Sequence, residues 1–115
     1  SNSPLASTAT APCVLGNCDN GRGVKVNGND AVYSSWKSGK MNGMTMQFLP
    51  SQSKIIFSEY TEGTINGLHM IWHFDKSAEI MQMKDGQKDG EYLKRKTDST
   101  HEAAIYKAGV LSTSF

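Results

Sequence analysis

Glycine recurs along this chain on a lattice. Gly39, Gly63, Gly86 and Gly109 follow one another at intervals of 24, 23 and 23 residues. Gly21, Gly43, Gly67 and Gly90 form a second series at intervals of 22, 24 and 23, so eight of the eleven glycines share one frame. A fixed period in the low twenties marks a repeating supersecondary unit and restricts the chain to architectures in which such units stack side by side. The segments 38–43, 62–67 and 85–90 are bounded by glycines and end in Asn-Gly or Asp-Gly, pairs that favour positive φ and predict tight chain reversals. All eight lattice glycines are read as turn residues. A phosphate-cradling loop would need a strand before it and a helix after it, and no such context surrounds these segments.

Between the turns the chain alternates with period two. Met44, Met46 and Phe48 oppose Thr45 and Gln47, while Leu68, Met70, Trp72 and Phe74 oppose His69, Ile71 and His73. Val24 and Val26 hold the matching offsets in the first unit, and Leu93 alone keeps them in the fourth. Such alternation predicts strands. Polar breaks at 27–30, 49–53, 75–77 and 97–100 separate them from returning strands at 31–36, 54–60, 78–83 and 103–106. The expected fold is therefore all-β: four tandem β-hairpin repeats, with a period of about 23, forming a single twisted antiparallel sheet. One hairpin buries too little to be stable alone, and stacking pairs every internal strand.

The balance of 12 basic and 11 acidic side chains gives a formal charge of +1, which argues against a nucleic-acid partner. No run approaches the roughly 18–20 apolar residues of a membrane-spanning helix. Residues 1–12, rich in Ser, Thr, Ala and Pro, read as a flexible N-terminal spacer with a tag remnant. Residues 13–115 read as the repeat domain. Spacers of this composition commonly follow a removed signal or lipid anchor, which points to an exported protein: periplasmic, anchored at the outer membrane or secreted. Cys13 and Cys18 are the whole cysteine content, and a local disulfide fits that compartment better than two reduced thiols.

The pattern resembles the MORN repeat, built roughly as G-x-G, a gap with glycine, Y-x-G-x-W, then G-K and glycine. The first unit carries the resemblance best, with Gly21-Arg22-Gly23, Gly28, Tyr33, Trp36, Lys37, Gly39, Lys40 and Gly43. The second keeps Phe57, Tyr60, Gly63 and Gly67; the third, Gly86 and Gly90; the fourth, Tyr106 and Gly109. The two aromatic positions lie three apart here instead of four, without the glycine between them. The resemblance spans residues 13–112 and is similar to degenerate bacterial members of exported type. It implies a scaffold that binds proteins, and in some cases lipids, without a shared catalytic centre. Some related bacterial repeats carry antitoxin labels, so neutralisation of a toxin is one alternative role and binding of anionic lipid is another.

No catalytic constellation emerges from the residues. His69 and His73 lie four apart on a predicted strand, about 13 Å along it, which suits no shared metal. No cofactor, metal or catalytic residue is therefore expected, and the chain is read as a non-enzyme. The parity of the strands puts Tyr33, Phe57 and Ile80 on one face and Trp36, Tyr60, Met83 and Tyr106 on the other. The Tyr33 row is read as a small core inside a curled sheet. The Trp36, Tyr60, Met83 and Tyr106 row, with Trp72 near the sheet margin, is expected to form the face that meets an unidentified protein partner. The chain is expected to be a monomer or a weak dimer paired through an open sheet edge.

Overall fold

The computed structural model describes residues 11–115; the first ten residues of the expected spacer lie outside the described part. All of the strands among the described residues belong to one open antiparallel sheet whose spatial order follows the chain. They are β1 (Cys13–Gly16), β2 (Asn20–Asn27), β3 (Asp30–Lys37), β4 (Lys40–Leu49), β5 (Lys54–Thr61), β6 (Thr64–His73), β7 (Ala78–Lys84), β8 (Gln87–Arg95), β9 (His101–Lys107) and β10 (Val110–Ser114). A short 3₁₀ turn, Pro50–Gln52, links β4 to β5. The sheet is built of consecutive antiparallel hairpins, as expected from the sequence. The sheet has two further strands at its margins, β1 in the cysteine loop and β10 after the last glycine.

The first glycine series does the turning. Ser38 and Gly39 have φ of 50° and 76°, and the pairs Glu62–Gly63, Asp85–Gly86 and Ala108–Gly109 repeat that geometry closely. Positive φ at both central residues marks the type I′ turn, whose twist matches that of the strands it joins. Each turn is also held by residues at or near the start of the strand that precedes its hairpin. The amides of Gly39, Gly63, Gly86 and Gly109 donate to the carbonyls of Asp19, Met41, Ile65 and Lys88. Side chains of Asn20, Asn42 and Asp89 accept from the amides of Ser38, Glu62 and Ala108.

The second glycine series corrects the sequence reading. Gly21, Gly43, Gly67 and Gly90 lie inside strands β2, β4, β6 and β8, not in turns. Each is paired across the ladder with a large residue: Gly21 with Trp36, Gly43 with Tyr60, Gly67 with Met83 and Gly90 with Tyr106. A residue without a side chain leaves room for its neighbour's ring or thioether to fold over the strand. β-Bulges interrupt the same ladders between Ser34 and Trp36, Ser58 and Tyr60, and Met81 and Met83. Recurrent bulges increase twist and bend a sheet toward one side. The described residues measure 43 × 28 × 21 Å. A flat single layer with its side chains would be only about 10 Å thick, so the sheet is strongly twisted and curled.

The curl substitutes for a second layer. Val32, Trp36, Met41 and Tyr60 are buried on its inner face and, with Cys18, form the core cluster, against which Ile65 packs. The Trp36 indole donates to the Gly23 carbonyl at 3.1 Å, and the Lys25 ammonium lies 4.7 Å from its ring centroid. Beside this core runs a row of buried hydroxyls, Ser34, Thr45 and Ser58, in which the Ser34 and Thr45 oxygens are 2.6 Å apart. Buried Asp30 accepts from the Ser51 amide at 3.1 Å and from its hydroxyl, which anchors the 3₁₀ turn to β3.

Cys13 and Cys18 form a disulfide, as expected. It closes a short loop against β2, where a Cβ on Gly23 would lie 2.6 Å from the Cys18 sulfur. Replacing both cysteines by serine is expected to cost about 2 kcal/mol through the loop-closure entropy regained by the unfolded chain. Hydrogen exchange checks where that loss falls: β1 amides should lose protection while those of Val32 and Ile56 keep it.

Candidate interaction face

The two faces of the sheet differ in what they show to solvent. Even-numbered residues of β3 and β5 point into the curl, and the odd-numbered residues between them point out. On the outer face one cross-strand row runs from Val24 through Tyr33, Met46, Phe57, Met70, Ile80 and Leu93 to Ala103, partner to partner. A second runs beside it from Val26 through Ala31, Phe48, Ile55, Trp72 and Ala78 to Arg95 and His101. The first row is apolar on all eight strands that it crosses. Tyr33, Met46 and Phe48 are 45–47% exposed, and Trp72 is 54% exposed. Two rows over eight strands cover on the order of 500 Å². A patch of that size lies at the upper end of what a monomeric protein shows and is often functional.

The residues expected to meet a partner are divided by this geometry. Trp36 and Tyr60 are 6% and 4% exposed and belong to the core inside the curl. Met83 and Tyr106 are half-buried on the same inner side. The Tyr106 ring stacks edge-on against Tyr92 at 5.5 Å, with the Lys88 ammonium 4.6–4.8 Å above both rings. Trp72 alone is presented, and it stands on the opposite face. The parity of the two rows is as the sequence implies, but their roles are exchanged: the Tyr33 row is outside and the Trp36 row is the core. The cue available in the sequence was the glycine facing each large residue, because only a crowded side needs such relief.

Several titratable side chains lie on the inner face. The Ser58 hydroxyl meets Nδ1 of His69 at 2.5 Å, but Ser58 is fully buried, so its oxygen meets no substrate. The Tyr92 hydroxyl donates to Glu79 at 2.8 Å; burial first, then that carboxylate, pushes its pKa up. Burial likewise pushes the Tyr60 phenol up to about 12, and the Gln47 side chain beside it pulls weakly the other way. Neither the Tyr60 hydroxyl nor the Gln47 carbonyl oxygen has a well-formed hydrogen bond among the described residues. No three of the described His, Cys, Asp and Glu residues are grouped so as to hold a metal ion.

Burial holds the His69 imidazole below its ordinary pKa, opposed by the charge of Glu79 and aided by Lys54. The unfolded chain therefore takes up that proton more readily than the folded one. The stability His69 contributes is complete above its unfolded pKa of about 6.5 and is lost as pH falls below it toward the folded value. The urea midpoint is expected to drop between about pH 7.5 and about pH 5.5, with a shallower drop in His69→Gln. Equal slopes in the two proteins would remove His69 from the account.

The fold and the face together define the class: an open, single-layer antiparallel sheet curled over a one-sided core, with an apolar outer surface. No known protein family matches the sequence, and no curated protein is significantly similar to it.

Proposed function

We propose that this chain is a non-catalytic repeat scaffold that binds a protein partner through the outer face of its sheet. The observation that carries this reading is the apolar row from Val24 to Ala103, unbroken over eight strands and exposed at Tyr33, Met46, Ile80 and Leu93. Burying such a surface against a partner is favourable by roughly 25 cal/mol per Å² before the costs of association, and Trp and Tyr commonly dominate such contacts. The finer architecture proposed is a MORN-like array of four hairpin repeats with a period of about 23, supported by the recurring φ pairs of its turns. An exported location is proposed from the Cys13–Cys18 disulfide, since such bonds persist in oxidising compartments. The protein is proposed to act as a monomer or weak dimer paired through its open edge, where β10 carries no charged side chain.

The test is affinity capture from the source's envelope fraction with the wild type and with Tyr33→Ser/Phe48→Ser/Trp72→Ser. Capture is expected to fall at least tenfold in the triple variant, with the unfolding midpoint little changed. Capture that survived these substitutions would overturn the outer-face reading.

A further inference from the structure

The second outer row changes character where it reaches β7. Trp72 and Arg95 flank Ala78 as its partners on either side. The small side chain between two large ones leaves a hollow of about 450 Å³, floored by Ala78, Ile80 and Leu93, walled by Trp72 and edged by Lys76, Arg95 and His101. That volume lies in the range of pockets that hold small ligands. The ion pairs among the described residues are His73–Glu79 and Lys96–Glu102, so neither Lys76 nor Arg95 is neutralised by an acidic side chain there. Both are exposed. With a whole-chain charge of only +1, this positive margin is a local feature and not the consequence of a generally basic surface.

We propose that this hollow anchors the partner by taking one apolar side chain whose neighbouring carboxylate meets Arg95 and Lys76, so that the partner presents an acidic segment with an apolar residue in it. The proposal rests on the partner-face reading above and names the chemistry that the face selects. The apolar floor alone would accept any hydrophobic side chain. The guanidinium at one end adds a charge-assisted, bidentate contact that a carboxylate of suitable position can make and a neutral group cannot. A protein partner fits this site better than a membrane does. Binding to anionic lipid rests on clusters of several Lys and Arg, whereas two, Lys76 and Arg95, edge this hollow.

The test uses two-dimensional NMR titration of the whole chain with three probes: N-acetyl-leucine, N-acetyl-leucinamide and N-acetyl-glycine. N-acetyl-leucine is expected to shift the Trp72 indole N–H and the amides of Ala78 and Ile80 saturably. The neutral amide and the glycine probe should each bind at least fivefold more weakly. Arg95→Gln should bring the acid down to the level of the amide while the rest of the spectrum stays in place. Equal binding of acid and amide, or shifts centred away from Trp72, would overturn the proposal. So would silence toward N-acetyl-leucine with shifts at Trp72 on adding phosphatidylglycerol vesicles, which would assign the hollow to a membrane. Should the probes fail while the triple variant still loses capture, the hollow is wrong and the face stands. Should the probes bind while capture ignores the face, the reverse holds.

Discussion

Trp36→Ala is expected to cost roughly 3–5 kcal/mol, the range for emptying a buried tryptophan site. In a domain of this size that corresponds to a fall in the thermal midpoint of at least about 12 °C. The ring is 6% exposed, donates its N–H to the Gly23 carbonyl and lies under Lys25, so its removal empties the inside of the curl and unpairs a carbonyl. With no second layer available to collapse into the gap, little of the loss is recovered. Trp72→Ala should cost within about 1 kcal/mol, as for an exposed position. The two tryptophans thus separate stability from binding: the first variant should unfold early, and the second should fold normally and lose its partner. Similar midpoints for the two would remove Trp36 from the core, and a reversed order would place Trp72 inside the curl.

Among the four lattice glycines inside strands, Gly67→Ala should be the most damaging, since a Cβ at Gly21, Gly43 or Gly90 meets nothing closer than 3.2 Å. Gly67 has φ of 114°, outside the region that side chains tolerate, and such strain costs of order 1–3 kcal/mol. The added Cβ would also lie 2.6 Å from Oε1 of Glu59, the atom that accepts the Leu68 amide at 2.8 Å. Displacing that carboxylate forfeits roughly 1 kcal/mol more. A total of about 2–4 kcal/mol is expected by urea unfolding. Gly28→Ala is the control, because nothing lies within 4 Å of a Cβ there and its φ of 63° is one that side chains adopt at modest cost. Equal losses at the two positions would show that the bulge beside Gly67 relaxes freely.

These two predictions trace what was legible in the sequence. Turn positions were, because Ser38–Gly39 and its counterparts need positive φ and glycine supplies it locally. Strand existence and parity were too, since period-two alternation is also local: residues 31–36 became Asp30–Lys37, and 54–60 became Lys54–Thr61. The inside was not. Both faces are apolar, so alternation alone cannot choose between Trp36 and Tyr33. The choice is made by the direction of curl, which depends on bulges at Ser35, Glu59 and Gln82. The one mark of it in the sequence is the glycine across the ladder from each large inner residue, which shows only once the register is known. The marginal strands escaped notice for a different reason. β1 is four residues long and tied to the cysteine loop, and Val110–Ser114 lacks alternation and is exposed throughout. The hollow beside Trp72 was illegible because it depends on Ala78 and Arg95 being neighbours across strands, a matter of register.

The strand order follows the chain without a crossover, so each ladder joins only segments adjacent in sequence. Such local wiring favours rapid folding. It also leaves the gene free to change length in steps: duplicating or deleting one turn-to-turn segment disturbs only the junction and leaves the other ladders as they were. The extent of the outer face can then change with the number of such segments, with no need to redesign the contacts that keep the molecule folded.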